Sequence, residues 1–446
     1  MERTISLMIR VFLVLLSAQQ IHAYAEIENT CDVDFVTVDG AGLVVSSTRA
    51  AEIYSGDTEN IQCALDSAIE QDIAMVQLAE GTFLISSIEA AGFNGALSGV
   101  SKGKTTLVIS HDLVDCSVME AAGLQPAGIR FSGGSPRIQN MTIKAEDFCN
   151  GSSSVRPVAI HFTGQPTNTS ECSNDVIFGV VDRVNLSFVG QEDPFEEETP
   201  LFEKINGIGG FAEGFALGGC KQTLLGTLKV NRSELDGFYA GFGTSMRGGA
   251  QIDVNYNTFT NNEYDTVFVN SNQSTYIVGN KFNGAPDETF EYYAVKVETS
   301  SDTAPATSKF VLLSNTFSID AQPSEDLGSG FGVVFDQSAK TADITALIAQ
   351  NTFVLSGDAA YGVLDKGVTG GVIAKNVWRG TADAAILLGY FGEYPSVDWA
   401  ILANRGFSGL ETNTADIALG AGATGTVIGA GQGATVIDLG ENNSEL

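Results

Sequence analysis

Several short apolar segments of this chain carry one or two polar residues apiece, and some of those residues can do chemistry. On a common phase they read Gly128-Ile129-Arg130-Phe131, Ala159-Ile160-His161-Phe162, Ala294-Val295-Lys296-Val297, Gly332-Val333-Val334-Phe335-Asp336 and Gly362-Val363-Leu364-Asp365-Lys366. Side chains alternate along a strand. If Ile129 and Phe131 point inward, Arg130 points outward, and His161 and Lys296 share that outer face. Tyr239, Asp265, Asp336, Asp365 and Lys366 lie nearby. β-Elimination at a uronic acid needs a base for the C5 proton and a cation against the carboxylate. His161 or Lys296 fits the first role and Arg130 the second. Hydrolysis of a glycosidic bond instead needs two carboxyl groups about 5 to 10 Å apart, for which Asp265, Asp336 and Asp365 are the candidates. Either chemistry lays a polysaccharide along this face. The same face without catalysis would suit a secreted or surface protein that adheres to cell-surface glycans.

A repeat is what would position such a face. An apolar strand followed by Asn, one residue and an aromatic recurs as Asn257-Thr258-Phe259, Asn280-Lys281-Phe282, Asn315-Thr316-Phe317, Asn351-Thr352-Phe353 and Asn376-Val377-Trp378, with Asn404-Arg405-Gly406-Phe407 one residue longer. A unit of this length cannot bury its own apolar face and must stack on copies of itself. Asn tolerates the left-handed backbone needed at a sharp bend, and stacked Asn amides hydrogen-bond as a ladder. The aromatic just past the bend should point inward, so the five aromatics form an internal column. Both columns are read as structural.

Composition agrees. Of 446 residues, 43% are hydrophobic, only 17% are charged and 50 are glycine, which suits short strands joined by tight turns. The formal net charge of −31 repels nucleic acid and anionic lipid. A polyanionic glycan would need bound cations or a local basic patch. Residues 1–25 read as an export signal: Arg3 and Arg10, the apolar run Val11 to Ala18, and the small-x-small site Ala23-Tyr24-Ala25. That run falls short of the ~20 residues that cross a bilayer. The expected location is therefore secreted, periplasmic or cell-surface, without membrane insertion, and the expected state is a monomer. The six cysteines, Cys31, Cys63, Cys116, Cys149, Cys172 and Cys220, suit disulfides in an exported chain. Cys149 with Cys172, one repeat apart, and Cys31 with Cys63, tying the entry segment to a helix, are the expected pairs. No zinc-type Cys/His spacing occurs, and no metal site is assigned. The acidic span 191–204 (QEDPFEEETPLFEK) reads as a projecting loop whose carboxylates are of the kind Ca²⁺ takes, although it lacks a recognised Ca²⁺-loop spacing. The span 298–308 reads as a second loop.

The segment Asp57 to Glu70 (DTENIQCALDSAIE) predicts a helix, with Asp57 or Thr58 as N-cap and Ile61, Leu65, Ala68 and Ile69 at helical spacing. Strands follow at Ile73 to Leu78, Thr82 to Ile85 and Thr105 to Ile109. Asp57, Thr58, Ile61, Gln62, Ala64, Leu65, Asp66, Ala68, Gly81, Thr82 and Phe83 resemble the start of the pectate-lyase-like superfamily. With the repeats, the resemblance covers nearly the whole of residues 26–446. It implies an all-β fold, a single-stranded right-handed parallel β-helix with an N-terminal capping helix over 57–70, and carbohydrate as ligand. It implies no particular activity, because this fold hosts lyases, hydrolases, epimerases and non-catalytic surface proteins. The Asn-Thr-Asp, Asp-Asp, Gly-His-Gly and Arg-Ile-Lys signatures of polygalacturonase-like members and the Asp-Pro-His-Asp of alginate epimerases do not occur in the chain.

Overall fold

A computed structural model describes residues 27–40, 42–48, 56–110, 116, 119, 124–146, 156–164, 176–189, 205–210, 225–244, 250–270, 274–286, 291–298, 308–321, 328–336, 344–389 and 395–446. The expected export signal, the acidic loop, most of the second loop and the Cys149–Cys172 pair lie outside these residues.

The chain is a right-handed parallel β-helix whose 35 described strands join one hydrogen-bonded sheet wrapped around a filled interior. Each winding crosses three faces. The first carries Gln251–Asn255, Ser274–Val278, Ser308–Leu313, Ile344–Ala349, Thr369–Ala374 and Ser396–Leu402 in sequence. The second carries Thr258–Thr260, Lys281–Gly284, Thr316–Asp320, Thr352–Ser356 and the start of Val377–Leu388. The third carries Val158–Thr163, Asn206–Gly210, Phe242–Thr244, Asp265–Asn270, Tyr292–Glu298, Gly330–Asp336 and Ala360–Lys366. Among the described strands only Val36–Asp39 pairs antiparallel, with Gly42–Val45.

The corner between the first and second faces holds the Asn column. The Oδ1 of Asn315 accepts from the backbone N–H and the Nδ2 of Asn280, at 2.8 and 3.0 Å. The Nδ2 of Asn315 donates onward to Asn351 Oδ1 and back to the Ile277 carbonyl. The same pattern runs from Asn257 to Asn404. Gln432 closes one end, accepting from Asn404 N and Nδ2. Ser233 closes the other, donating its N–H to Asn257 Oδ1. The expected left-handed Asn is corrected in one respect. The left-handed residue is the one before it: Tyr256, Gly279, Ser314, Gln350, Lys375 and Ala403 all have φ between 54° and 68°. A non-glycine residue pays about 1–2 kcal/mol for that backbone. Several buried amide bonds, at about 0.5–1.5 kcal/mol net each, outweigh it.

Just past this corner the aromatics stack inside, as expected. Ring centroids of Phe259, Phe282, Phe317, Phe353 and Trp378 follow at 5.1, 4.8, 4.7 and 4.3 Å. Phe407 continues the column at 5.8 Å. Its extra residue is accommodated by Gly406, at φ 95°, where a Cβ would lie 2.1 Å from the Trp378 carbonyl oxygen. Gly362 likewise has no room for a Cβ, which would meet the Trp378 ring at 2.2 Å.

The helix spans Asp57–Glu70 and buries Ile61, Ala64, Leu65 and Ala68 against the first windings. Neither expected N-cap is one. Gly56 occupies that position without a side-chain cap. The buried Asp57 carboxylate instead accepts from Thr48 N at 2.7 Å and Leu84 N at 2.8 Å, and Thr58 Oγ1 accepts from Ser86 N. These side chains tie the helix to the strands it covers. Cys31 and Cys63 form the expected disulfide, and Cys116 is disulfide-bonded as well.

Asn315→Ala should destabilise the protein by about 3 kcal/mol, because it orphans the Asn280 donors and the Ile277 carbonyl. Asn283 is exposed, and Asn283→Ala should cost no more than about 0.5 kcal/mol. Urea unfolding compares the two; equal losses would contradict the role given to the ladder.

Candidate functional site

The register of the third face sets one outward column: Glu89, Arg130, His161, Gly209, Gly243, Phe268 and Lys296 are successive partners. Arg130, His161 and Lys296 therefore share a column, but they do not meet. Four windings separate His161 from Lys296, about 19 Å at the strand spacing. His161 is fully buried and Arg130 is 2% exposed. Arg130 is ion-paired with Glu89 and donates to the Gln125 carbonyl.

Between His161 and Phe268 the column reads Gly209 and Gly243. The wall recedes there, and an open cleft of about 390 Å³ results. A Cβ on Gly243 would meet nothing within 4 Å. Tyr239, Tyr264, Asp265, Lys296, Glu298 and Arg156 line the cleft. The tyrosines come from consecutive windings, because Tyr264 N donates to the Tyr239 carbonyl and Tyr293 N to that of Tyr264. Tyr239 and Tyr264 stack at 5.3 Å, and Tyr293 meets Tyr264 edge-on at 5.3 Å. The row continues outside the cleft through Phe331 and Tyr361.

Two cations sit on these rings. The Arg156 guanidinium lies 3.3 Å from the Tyr239 ring centre. Lys296 Nζ lies 5.3 and 5.1 Å from the centres of Tyr264 and Tyr293. Asp265 is 9% exposed, and its Oδ1 is buried without a hydrogen-bond partner. Burial, opposed by Lys296 and reinforced by Glu298 and Asp336, pushes its carboxyl up to about 7. Burial also raises Glu298 and Tyr264, and pushes Tyr239 up to about 12. For Lys296 burial works the other way, but Asp265, Tyr264 and Glu298 outweigh it and hold the ammonium above its ordinary value. At neutral pH the cleft thus presents neutral phenols, a charged ammonium and a carboxyl poised to give or take a proton.

Of the residues singled out in the sequence, Tyr239, Asp265 and Lys296 line this cleft. Asp336 stands beside it, paired in register with Glu298. Asp365 is not on the outer wall. It shares an inward column with Phe335 and Leu388, is fully buried, and accepts from Trp399 Nε1 at 2.9 Å and Val368 N at 3.1 Å. Sequence reasoning passed over Tyr264, Tyr293, Glu298, Arg156 and the two glycines. The recurrence of Tyr239, Tyr264 and Tyr293 at the length of one winding was the available signal. No group of residues suited to a metal ion occurs among the described residues. No helix among them is long and apolar enough to cross a membrane.

No protein-family model matches the chain, and no match to it was found among curated proteins. The chain is similar to several solved structures. The A-module of the mannuronan C-5 epimerase AlgE6 of Azotobacter vinelandii is 13% identical, over 85% of this chain and 96% of that one, with a TM-score of 0.47. PfbA, a surface adhesin of Streptococcus pneumoniae, is 14% identical, over 81% and 88%, also at 0.47. The Dettilon tailspike protein is 12% identical, over 89% and 68%, at 0.47. Likeness at this level says nothing of what this chain acts on.

Burial also pushes Asp365 up to about 7. A raised carboxyl keeps its proton in the folded chain while the unfolded chain releases it near pH 4. Its contribution is therefore complete below about pH 4 and is lost as pH rises to about 7. Asp365→Asn should flatten the fall in unfolding free energy over that window by up to about 1.4 kcal/mol per pH unit. Denaturation at a series of pH values checks this, and an unchanged slope would contradict it.

Proposed function

We propose that this protein binds a polysaccharide chain in the cleft of the third face, and that Lys296 and Asp265 act on it there. The observation that carries this reading is an open cleft in which stacked tyrosines meet a buried carboxyl whose Oδ1 has no hydrogen-bond partner among the described residues. Sugar rings present apolar C–H faces and polar rims. The Tyr239 and Tyr264 rings match the faces, and Asp265, Lys296 and Glu298 match the rims. The local cations Arg156 and Lys296 let the cleft accept an acidic sugar despite the net charge.

The chemistry such a site supports is proton transfer. Asp265, near 7, can deprotonate or protonate a bound sugar at neutral pH, and Lys296 can stabilise the negative charge that develops. With Lys296 facing a uronate carboxylate and Asp265 taking the C5 proton, the C4–C5 double bond forms as the C4–O4 bond breaks, the departing oxygen takes a proton from water, and the outcome is β-elimination. With Asp265 protonating a glycosidic oxygen and Glu298 as the second carboxyl, it is hydrolysis. The burial of His161 and Arg130 favours a second reading, in which the same cleft binds glycan without turning it over.

A panel of neutral and uronate polysaccharides, assayed for binding, reducing ends and unsaturated uronate absorbance, tests these readings. Gly243→Leu should fill the cleft without disturbing the fold and weaken binding by about tenfold or more. Asp265→Asn should keep binding but lower turnover by about 10²–10⁴ and remove an apparent pKa near 7 from the pH profile. Binding without turnover would establish the second reading. Binding that Gly243→Leu leaves intact would exclude the cleft.

A further inference from the structure

The first face displays a different surface. Its outward column reads Tyr276, Val311, Leu347, Val372, Ala400 and Val427 over six successive windings. Two positions further along each strand a second column reads Val278, Leu313, Ala349, Ala374 and Leu402. No charged side chain falls in either. All but Ala349 are half-buried or exposed, with Leu347 37% exposed. On a chain of net charge −31 with strand edges consumed by stacking, a flat apolar face of this extent calls for an occupant.

The chemistry narrows what covers it. A sugar or polar peptide side chain would lose water there without gaining hydrogen bonds. An anionic membrane would be repelled by the net charge. What fits a flat apolar sheet face is another one. The flanking charges select which: the column on one side carries exposed Lys309 and, three windings away, exposed Asp398. A two-fold axis along the strands, between the windings of Leu347 and Val372, brings Lys309 of each copy opposite Asp398 of the other. It also sets Leu347 against Val372 and Val311 against Ala400. The patch is its own complement, as an isologous interface requires.

We propose that the first face is the interface of an antiparallel homodimer, with the two winding axes running in opposite directions. Six windings by roughly 20 Å of strand give about 600 Å² per copy, at the lower end of stable interfaces. The dimer is therefore reversible, and it leaves the third-face cleft of each copy open, so this inference stands independently of the glycan reading.

Sedimentation equilibrium of the full chain over a concentration series tests it. A monomer–dimer equilibrium is expected at micromolar concentration. Leu347→Lys places a charge at the centre and should raise the dissociation constant by about tenfold or more, with circular dichroism and melting temperature unchanged. Lys309→Glu should weaken the dimer by about fivefold, and Lys309→Glu with Asp398→Lys should restore it. A monomer at all concentrations overturns the proposal, as does a dimer that Leu347→Lys leaves unchanged. Failure of the double charge reversal to restore association overturns the antiparallel arrangement.

Discussion

Every winding of this chain must turn sharply while its backbone is buried, and every polar group at the turn must find a partner there. The Asn column meets that requirement. Each amide accepts from the Asn on one side, donates to the Asn on the other, and reaches back to a strand carbonyl. Because an Asn can do this only when the next Asn stands directly in line, the ladder fixes register as well as spacing. The aromatic column just past the corner depends on that register, since rings 4.3 to 5.1 Å apart stack only if successive windings do not slip.

Register in turn makes the outer wall a set of columns, and each column is free to carry what function needs. The third face substitutes two glycines for side chains at Gly209 and Gly243, and the recess they leave becomes the cleft. Tyrosines from consecutive windings, at one position of the repeat, become its aromatic side. The first face keeps the same scaffold but presents two adjacent columns of apolar side chains, flanked by Lys309 and Asp398. The proposed binding and association thus fall on two walls of one prism, held by a shared interior.

Much of this was legible in the sequence. The repeat, the ladder, the inward aromatics, the helix over 57–70 and the Cys31–Cys63 link all follow from local patterns, because stacking makes local patterns global. The outward phase of Arg130, His161 and Lys296 was legible for the same reason. The distance between them was not, because windings of unequal length hide how many rungs separate two residues. Burial was not legible either. Whether Arg130 lines a groove or pairs with Glu89 depends on chain that covers it. Asp365 illustrates a third limit: regular alternation from Val363 turns it inward beside Phe335, and an aspartate takes that core position only because Trp399 and the Val368 N–H are there to receive it. The N-cap expectation failed likewise, since Asp57 found better donors in Thr48 and Leu84 than in its own helix.

Hydrogen exchange resolved to single residues tests the stacked ladder most directly. The backbone N–H groups of Asn280, Asn315, Asn351 and Asn376, each donated to the next Asn side chain, should be among the slowest in the protein, opening only with global unfolding. Exchange at those positions as fast as at exposed turn residues would contradict the account, because windings held in register by these amides cannot leave them open to solvent.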